Sequence, residues 1–197
     1  MTKPLKVGIT GGIGSGKTIV TKLFSLLDIP IYYSDERAKV VMNDILKEPI
    51  IEAFGEKSFS NGVLNREYLA SNVFKDEAQL SKLNAIVHPA VAFDFSKWLT
   101  LHSEDEYVVK EAALLVETGS FTELDVLIVV ISPLKLRIER IRKRDGFRTE
   151  EEIKRIISKQ TDDETKISFA DFVITNNEDQ LLIPQVIEID KKIRQCL

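Results

Sequence analysis

The strongest chemical signal in the 197-residue chain is the run Gly11-Gly12-Ile13-Gly14-Ser15-Gly16-Lys17-Thr18. Its spacing is Gly-x4-Gly-Lys-Thr, placed after an apolar segment, Leu5–Thr10, and before a stretch with helical periodicity. Glycines at these points let successive backbone N–H groups wrap a phosphate chain, which a Cβ would obstruct. Lys17 then reaches the β- and γ-phosphates as a point charge, and the Thr18 hydroxyl is placed to ligate Mg²⁺. The helix that follows adds its positive amino-terminal end. Strand, glycine loop and helix together specify a nucleoside triphosphate site, with contacts running from Gly12, Ile13, Gly14, Ser15, Gly16, Lys17 and Thr18 to Ile19.

The kind of nucleotide enzyme follows from what else the chain carries. No Asn-Lys-x-Asp guanine reader occurs, and none of the nine glycines has an Asp three residues before it. The segment Tyr107–Lys110 leads into Glu111 rather than the usual metal-holding Asp. GTPases and motor ATPases therefore fit poorly, and a small kinase fits better.

Asp35 closes the segment Ile29-Pro30-Ile31-Tyr32-Tyr33-Ser34-Asp35. In a parallel sheet the carboxyl ends of the strands line the ligand crevice. A carboxylate there can take the proton of an acceptor hydroxyl. Asp is also a favoured helix N-cap, and a helix beginning at Glu36 would use it so. Position alone supports both readings equally. Residues 135–148 carry Lys135, Arg137, Arg140, Arg142, Lys143, Arg144 and Arg148 against Glu139 and Asp145, a local charge of +5. Arg137, Arg140 and Arg144 share one helix face beside an apolar stripe of Leu134, Ile138 and Ile141. The planar arginine fork binds two phosphate oxygens at once. Asp145-Gly146 turns the chain into a second helix from about Thr149 to Gln160, so the pair reads as an arginine-rich lid over ATP. A basic face that is simply solvated is the ordinary alternative for such a run.

These residues need a frame. Buried strands are predicted at Leu5–Thr10, Ile29–Tyr33, Tyr107–Lys110, Val126–Ile131 and Phe172–Thr175, with helical stretches between them. One helix carries Val20, Leu23, Phe24 and Leu27 on a face. Strands alternating with helices predict an α/β protein built on a parallel sheet covered on both sides. Residues 36–105 are too many for one crossover and are read as a helical insertion, broken by Pro49, Gly55 and Asn61-Gly62. Pro89, after His88, is expected to start or kink a helix. No linker or repeat divides the chain, so one domain is expected, with the insertion at about 36–105 and the lid at about 134–161.

Composition narrows the class. Apolar residues make up 44% and charged residues 29%, enough for one substantial core. The net charge of −4 argues against a nucleic-acid or anionic-membrane binder. No apolar run approaches the ~20 residues of a membrane span, and no signal peptide is read at the start. The one cysteine, Cys196, allows neither a disulfide within the chain nor a cysteine metal site. A cytoplasmic protein is expected.

Together the motifs resemble one family over nearly the whole chain, the dephospho-CoA kinases, whose fold is similar to that of nucleoside monophosphate kinases. Gly8-Ile9-Thr10-Gly11-Gly12-Ile13-Gly14-Ser15-Gly16-Lys17-Thr18 resembles the family's opening motif. Ser34-Asp35 is similar to its second-strand Ala-Asp, and Phe54-Gly55 with Gly62-Val63-Leu64-Asn65-Arg66 to its Phe-Gly and Gly-x-Leu-Asn-Arg block. Leu83-Asn84-Ala85-Ile86-Val87-His88-Pro89 resembles Leu-Asn-x-x-x-His-Pro, and Leu114-Leu115-Val116-Glu117 resembles Pro-Leu-Leu-Phe-Glu. Arg140 and Arg144-Asp145 match the lid, and Gln160, Lys166, Ala170-Asp171 and Asn176-Asn177 follow in order. Tyr33 replaces the first Asp of the family's Asp-Ala-Asp, and Ala113 replaces a proline.

The resemblance implies a P-loop three-layer sandwich with a five-stranded parallel sheet, a helical substrate-binding insertion and an arginine-rich lid. It implies ATP-dependent phosphorylation of the ribose 3′-hydroxyl of dephospho-CoA, giving CoA and ADP, with Mg²⁺ held by Thr18. Asp35, Lys17 and Arg140 would be catalytic, and Arg144 and Asn176 would join the loop in binding ATP. Asp35, Arg66, His88, Leu114 and Glu117 would bind the acceptor. A P-loop kinase of another small acceptor and a non-catalytic nucleotide switch remain the alternatives that the residues by themselves leave open.

Overall fold

The computed structural model describes residues 3–73 and 76–195, so Cys196 lies outside the described residues. In chain order the elements are β1 (Leu5–Thr10), α1 (Lys17–Ser25), β2 (Ile31–Tyr33), α2 (Ser34–Asp44), α3 (Lys47–Phe54), β3 (Phe59–Ser60), β4 (Val63–Leu64), α4 (Arg66–Val73) and α5 (Glu77–Leu101). Then come β5 (Tyr107–Glu111), β6 (Val126–Ile131), α6 (Leu134–Arg144), α7 (Glu150–Ser158), α8 (Asp163–Ser168), β7 (Phe172–Thr175) and α9 (Leu182–Gln195). The chain divides into two compact units, residues 34–101 and the remainder.

The larger unit is built on a five-stranded parallel sheet in the order β2-β5-β1-β6-β7. Parallel strands covered on both faces read as continuous apolar runs, and Leu127-Ile128-Val129-Val130 are all buried. Alternate residues feed separate layers. Ile128 and Val130 join Val7, Ile9, Val20, Phe24, Val186 and Ile189 under α1 and α9. Leu127 and Val129 pack with Leu115, Phe121 and Leu124 on the other face. Because the strands are parallel, the loops after β1, β5, β6 and β7 all leave from one edge of the sheet.

The 34–101 unit has its own core of Val41, Leu46, Ile50, Leu64, Leu69 and Val87, flanked by Phe54, Phe59 and Leu83. Asn61 (φ 52°) and Gly62 (φ 79°) close a small hairpin of β3 and β4. Both residues are left-handed, as a two-residue hairpin turn demands.

Several boundaries differ from expectation for physical reasons. β2 starts at Ile31, because Pro30 has no N–H to donate, although its carbonyl still accepts from Val109 N at 2.9 Å. β5 runs on to Glu111. α2 begins at Ser34, so Asp35 neither ends the strand nor caps the helix; it lies in the helix's first turn with Glu36. Pro89 neither starts nor divides α5, which continues through it. The carbonyl it leaves unbonded belongs to Ala85, and both residues are exposed on the solvated side. The second helix of the arginine segment is shorter than Thr149 to Gln160, with Thr149 as its N-cap and Glu152 completing a capping box. On α6 it is Arg137 and Ile141 that are buried, while Leu134 is exposed.

Candidate nucleotide and acceptor residues

The glycine loop leaves the central strand and enters α1 through Gly16, whose φ of 97° is a left-handed N-cap. A Cβ there would also fall 2.1 Å from Asn176 Nδ2, so the position needs glycine twice over. Lys17 and Thr18 are the first residues of α1, where backbone N–H groups have no partner within the helix. Lys17 is buried, and its ammonium donates to Gly11 O at 2.8 Å. The Ser15 hydroxyl is buried without a partner among the described residues. Thr18 and Ile19 are exposed on the outer side of the first turn.

This arrangement suits a polyphosphate. Backbone N–H donors, a positive helix end and a lysine converge on a loop whose close approaches exclude side chains. A divalent cation fits the same place, since the exposed Thr18 hydroxyl is a hard oxygen ligand beside the phosphate position. Among the described residues no cluster of three or more His, Cys, Asp or Glu side chains forms an all-protein metal cage.

The loop after β7 reaches back to this site. Asn176 donates from Nδ2 to Ser15 O at 2.8 Å, and its own N–H donates to Ile131 O at 2.9 Å. Arg140 is docked on the same residue, donating to Asn176 O and Oδ1 at 3.3 Å and to Ser132 Oγ at 3.0 Å, with Glu178 at 3.5 Å. Arg144, expected beside it, is exposed and forked onto Asp145 at 2.8 and 3.0 Å. That fork holds the Asp145 carboxyl below its ordinary value and raises Arg144. The three arginines expected on one face thus have three separate targets. Arg137 is the one that lies on the phosphate loop, donating from Nε to Ile13 O at 3.0 Å. Its spacing of four from buried Ile141 was the available signal.

Glu117 and Leu114 follow β5. Leu114 is 46% exposed. Glu117 instead turns inward: Oε1 pairs with the fully buried Lys166 at 2.8 Å and accepts from Thr161 N at 3.1 Å. Its Oε2 is buried without a partner among the described residues. At the end of β5, burial lowers the Lys110 ammonium below the ordinary lysine value.

In the 34–101 unit, Asp35, Arg66 and His88 are exposed on α2, α4 and α5. The turns that carry them are fixed by neighbours. Asn65 Oδ1 accepts from Tyr68 N at 3.1 Å and so closes the start of α4 before Arg66. Arg37, two residues after Asp35, forks onto Asp94 of α5 at 2.8 and 2.6 Å.

A family model described as dephospho-CoA kinase matches residues 5–181 of the chain. A dephospho-CoA kinase of Bacteroides fragilis is 38% identical over 187 residues, covering 94% of this chain and 91% of that protein. A Thermus thermophilus crystal structure superposes with a TM-score of 0.86 at 29% identity, covering 100% of this chain and 99% of the other. A dephospho-CoA kinase from Campylobacter jejuni shares the fold, with a TM-score of 0.69 at 24% identity over 95% of this chain and 96% of its own.

Proposed function

The chain belongs to the dephospho-CoA kinase family, and on that premise we propose that it moves the γ-phosphoryl of ATP to the ribose 3′-hydroxyl of dephospho-CoA, releasing CoA and ADP. The observation that carries the reading is the glycine loop opening α1. Its backbone N–H groups and Lys17 are the electrostatic half of a phosphoryl-transfer site.

Lys17 and the loop amides hold the phosphates, apart from the N–H groups of Ile13 and Ser15, which are bonded to Gln160 and to Gly12 O, with Ile19 beside them in the first turn. Lys17 must exchange its bond to Gly11 O for phosphate oxygens, a swap of one acceptor for a charged one. Thr18 would hold Mg²⁺, which would supply charge neutralisation for the phosphates. Asp35 takes the acceptor hydroxyl's proton and orients its oxygen for in-line attack. Arg140 stabilises charge on the transferring group, which requires it to leave Ser132 and Asn176, its partners in this structure. Asn176 and Arg144 contact ATP. Arg66, His88, Leu114 and Glu117 serve the acceptor, the last through the shape of the loop after β5. Residues 134–161 act as the lid, and 34–101 as the acceptor-binding insertion. ATP-dependent chemistry in a chain with a single cysteine fits the cytoplasm. Among the described residues no helix is long and apolar enough to cross a membrane.

The test is a coupled ADP-release assay with ATP, Mg²⁺ and a panel of acceptors. Dephospho-CoA alone is expected to drive turnover, with a new 3′-phosphate in the product by ³¹P NMR. Turnover with a nucleoside monophosphate and none with dephospho-CoA would move the chain to another acceptor. Tight ATP binding with no acceptor-dependent turnover would make it a nucleotide switch.

A further inference from the structure

The backbone of Ile13, in the phosphate loop, is gripped through both its N–H and its carbonyl, which lie in the two peptide units on either side of its Cα. Its N–H donates to Gln160 Oε1 at 2.8 Å, and its carbonyl accepts from Arg137 Nε at 3.0 Å. These two side chains come from opposite ends of the arginine segment. Arg137 lies in the first turns of α6, and Gln160 lies two residues beyond the end of α7. The segment after Gln160 is itself anchored. Thr161 N–H donates to Glu117, Lys166 donates to Thr161 O and pairs with Glu117, and Asp163 carboxylate oxygens lie 3.3 and 3.4 Å from Arg137 Nη1. Arg137 is 6% exposed, and a Cβ on Gly12 would fall 2.0 Å from its Nη2.

We propose that Arg137 and Gln160 are positioning residues that clamp the two peptide groups flanking Ile13, so that the base of the α6–α7 segment sets the shape of the ATP phosphate loop. The inference rests on the reading of this loop as the ATP site and adds to it two residues that act through Ile13. The loop's N–H groups bind phosphate well only when pointed at it in advance. A glycine-rich loop has no side-chain packing of its own to enforce that direction. The clamp supplies the constraint from outside, and it ties both ends of the segment to the nucleotide site. Movement of α6 or α7 about its base is therefore felt at Ile13, and bound phosphate in turn steadies the segment.

The test uses the full chain with Gln160→Leu, which keeps the bulk and removes the acceptor, and Arg137→Met, which removes the donor. Ile13 amide exchange by NMR reads the clamp itself, and calorimetric titration with ATP reads its consequence. Each variant is expected to speed Ile13 exchange and to weaken ATP binding about tenfold, the scale of one lost net hydrogen bond. The ATP KM should rise by more than kcat falls, with the acceptor KM unmoved. Arg137→Lys, which retains a donor, should recover part of the affinity. A double variant should lose less than the sum of the two, because both act on the backbone of one residue. Thermal melts identify any variant that simply fails to fold, and Arg137→Lys then carries the test in place of Arg137→Met. Unchanged Ile13 exchange with unchanged ATP affinity would overturn the proposal. Lys17→Ala separates the two ideas in the same titration. If it leaves ATP binding intact, the ATP reading of the loop falls. If it weakens binding while the clamp variants do not, only the clamp falls.

Discussion

Around the phosphate loop, polar side chains are tied down before any substrate arrives: Lys17 to Gly11, Asn176 to Ser15, Gln160 and Arg137 to Ile13. In the 34–101 unit, Asp35, Arg66 and His88 stand exposed on three different helices. On the proposed function, the contrast follows from what each would recognise. Triphosphate oxygens are met by backbone N–H groups, which point correctly only if the loop is rigid. An acceptor is met by side chains on stable helices, which need be ordered only once it binds. The nucleotide half is therefore held by internal bonds whose removal should cost stability. The acceptor half should lose rate and little else.

Asp35 gives this contrast its largest test. Asp35→Asn keeps the size and removes the base, so kcat is expected to fall by roughly 10²–10⁴, the usual worth of a positioned general base. The residue lies in the first turn of α2, so losing its charge there costs only about 0.3–1 kcal/mol of favourable helix-dipole interaction. Saturating rates and melts on one preparation decide it. Equal rates would reduce Asp35 to a helix-end charge.

Lys166 tests the other half. It is fully buried against Glu117, and removing one member of a buried pair leaves the other charged and unpaired. Lys166→Met is expected to cost about 3–5 kcal/mol, read from urea unfolding. Lys166→Met with Glu117→Leu should recover most of that loss, since an apolar pair of similar volume is often neutral. If the single variant melts like the parent, the network at Thr161 is not what stiffens this half.

What the sequence shows plainly is whatever one segment encodes alone. β1, β6 and β7 run over Leu5–Thr10, Val126–Ile131 and Phe172–Thr175 as their apolar runs predict, and the Gly-x4-Gly-Lys-Thr spacing locates the loop. What it conceals depends on distant partners. Leu134 looks like core by periodicity, yet the helix is turned so that Arg137 and Ile141 are buried, because Ile13 and Asp163 wait for the guanidinium. Glu117 looks like a free acid at the end of a motif, and only the fold brings Lys166 to it. Gln160 carries no periodic or chemical signal of its own; its contact spans 147 residues. The Asn61-Gly62 hairpin was legible, since that dipeptide between Phe59 and Leu64 is itself a turn signal.

The smallest expected effect lies between the two halves of the arginine segment, where Asp145 receives Arg144 at 2.8 Å and Arg148 at 3.3 Å. The Arg144 fork holds the Asp145 carboxyl below its usual value, with Arg148 adding to the shift. A depressed carboxylate contributes stability that is fully present above its unfolded-state value, near 3.8, and is lost as pH falls through the lower folded value. The Arg144 member is largely open to water, where such bridges are worth at most about 1 kcal/mol and less in salt. The melting temperature of the parent should therefore fall more steeply than that of Asp145→Asn between pH 4 and the onset of acid unfolding (about pH 3). Above pH 5 the two curves should run parallel. The difference should shrink in about 0.5 M salt, because exposed charges are screened over a few ångströms there. Curves that diverge above pH 5 instead would place the titrating group elsewhere, and a salt-independent gap would mean that Asp145 acts through packing at the turn and not through its charge.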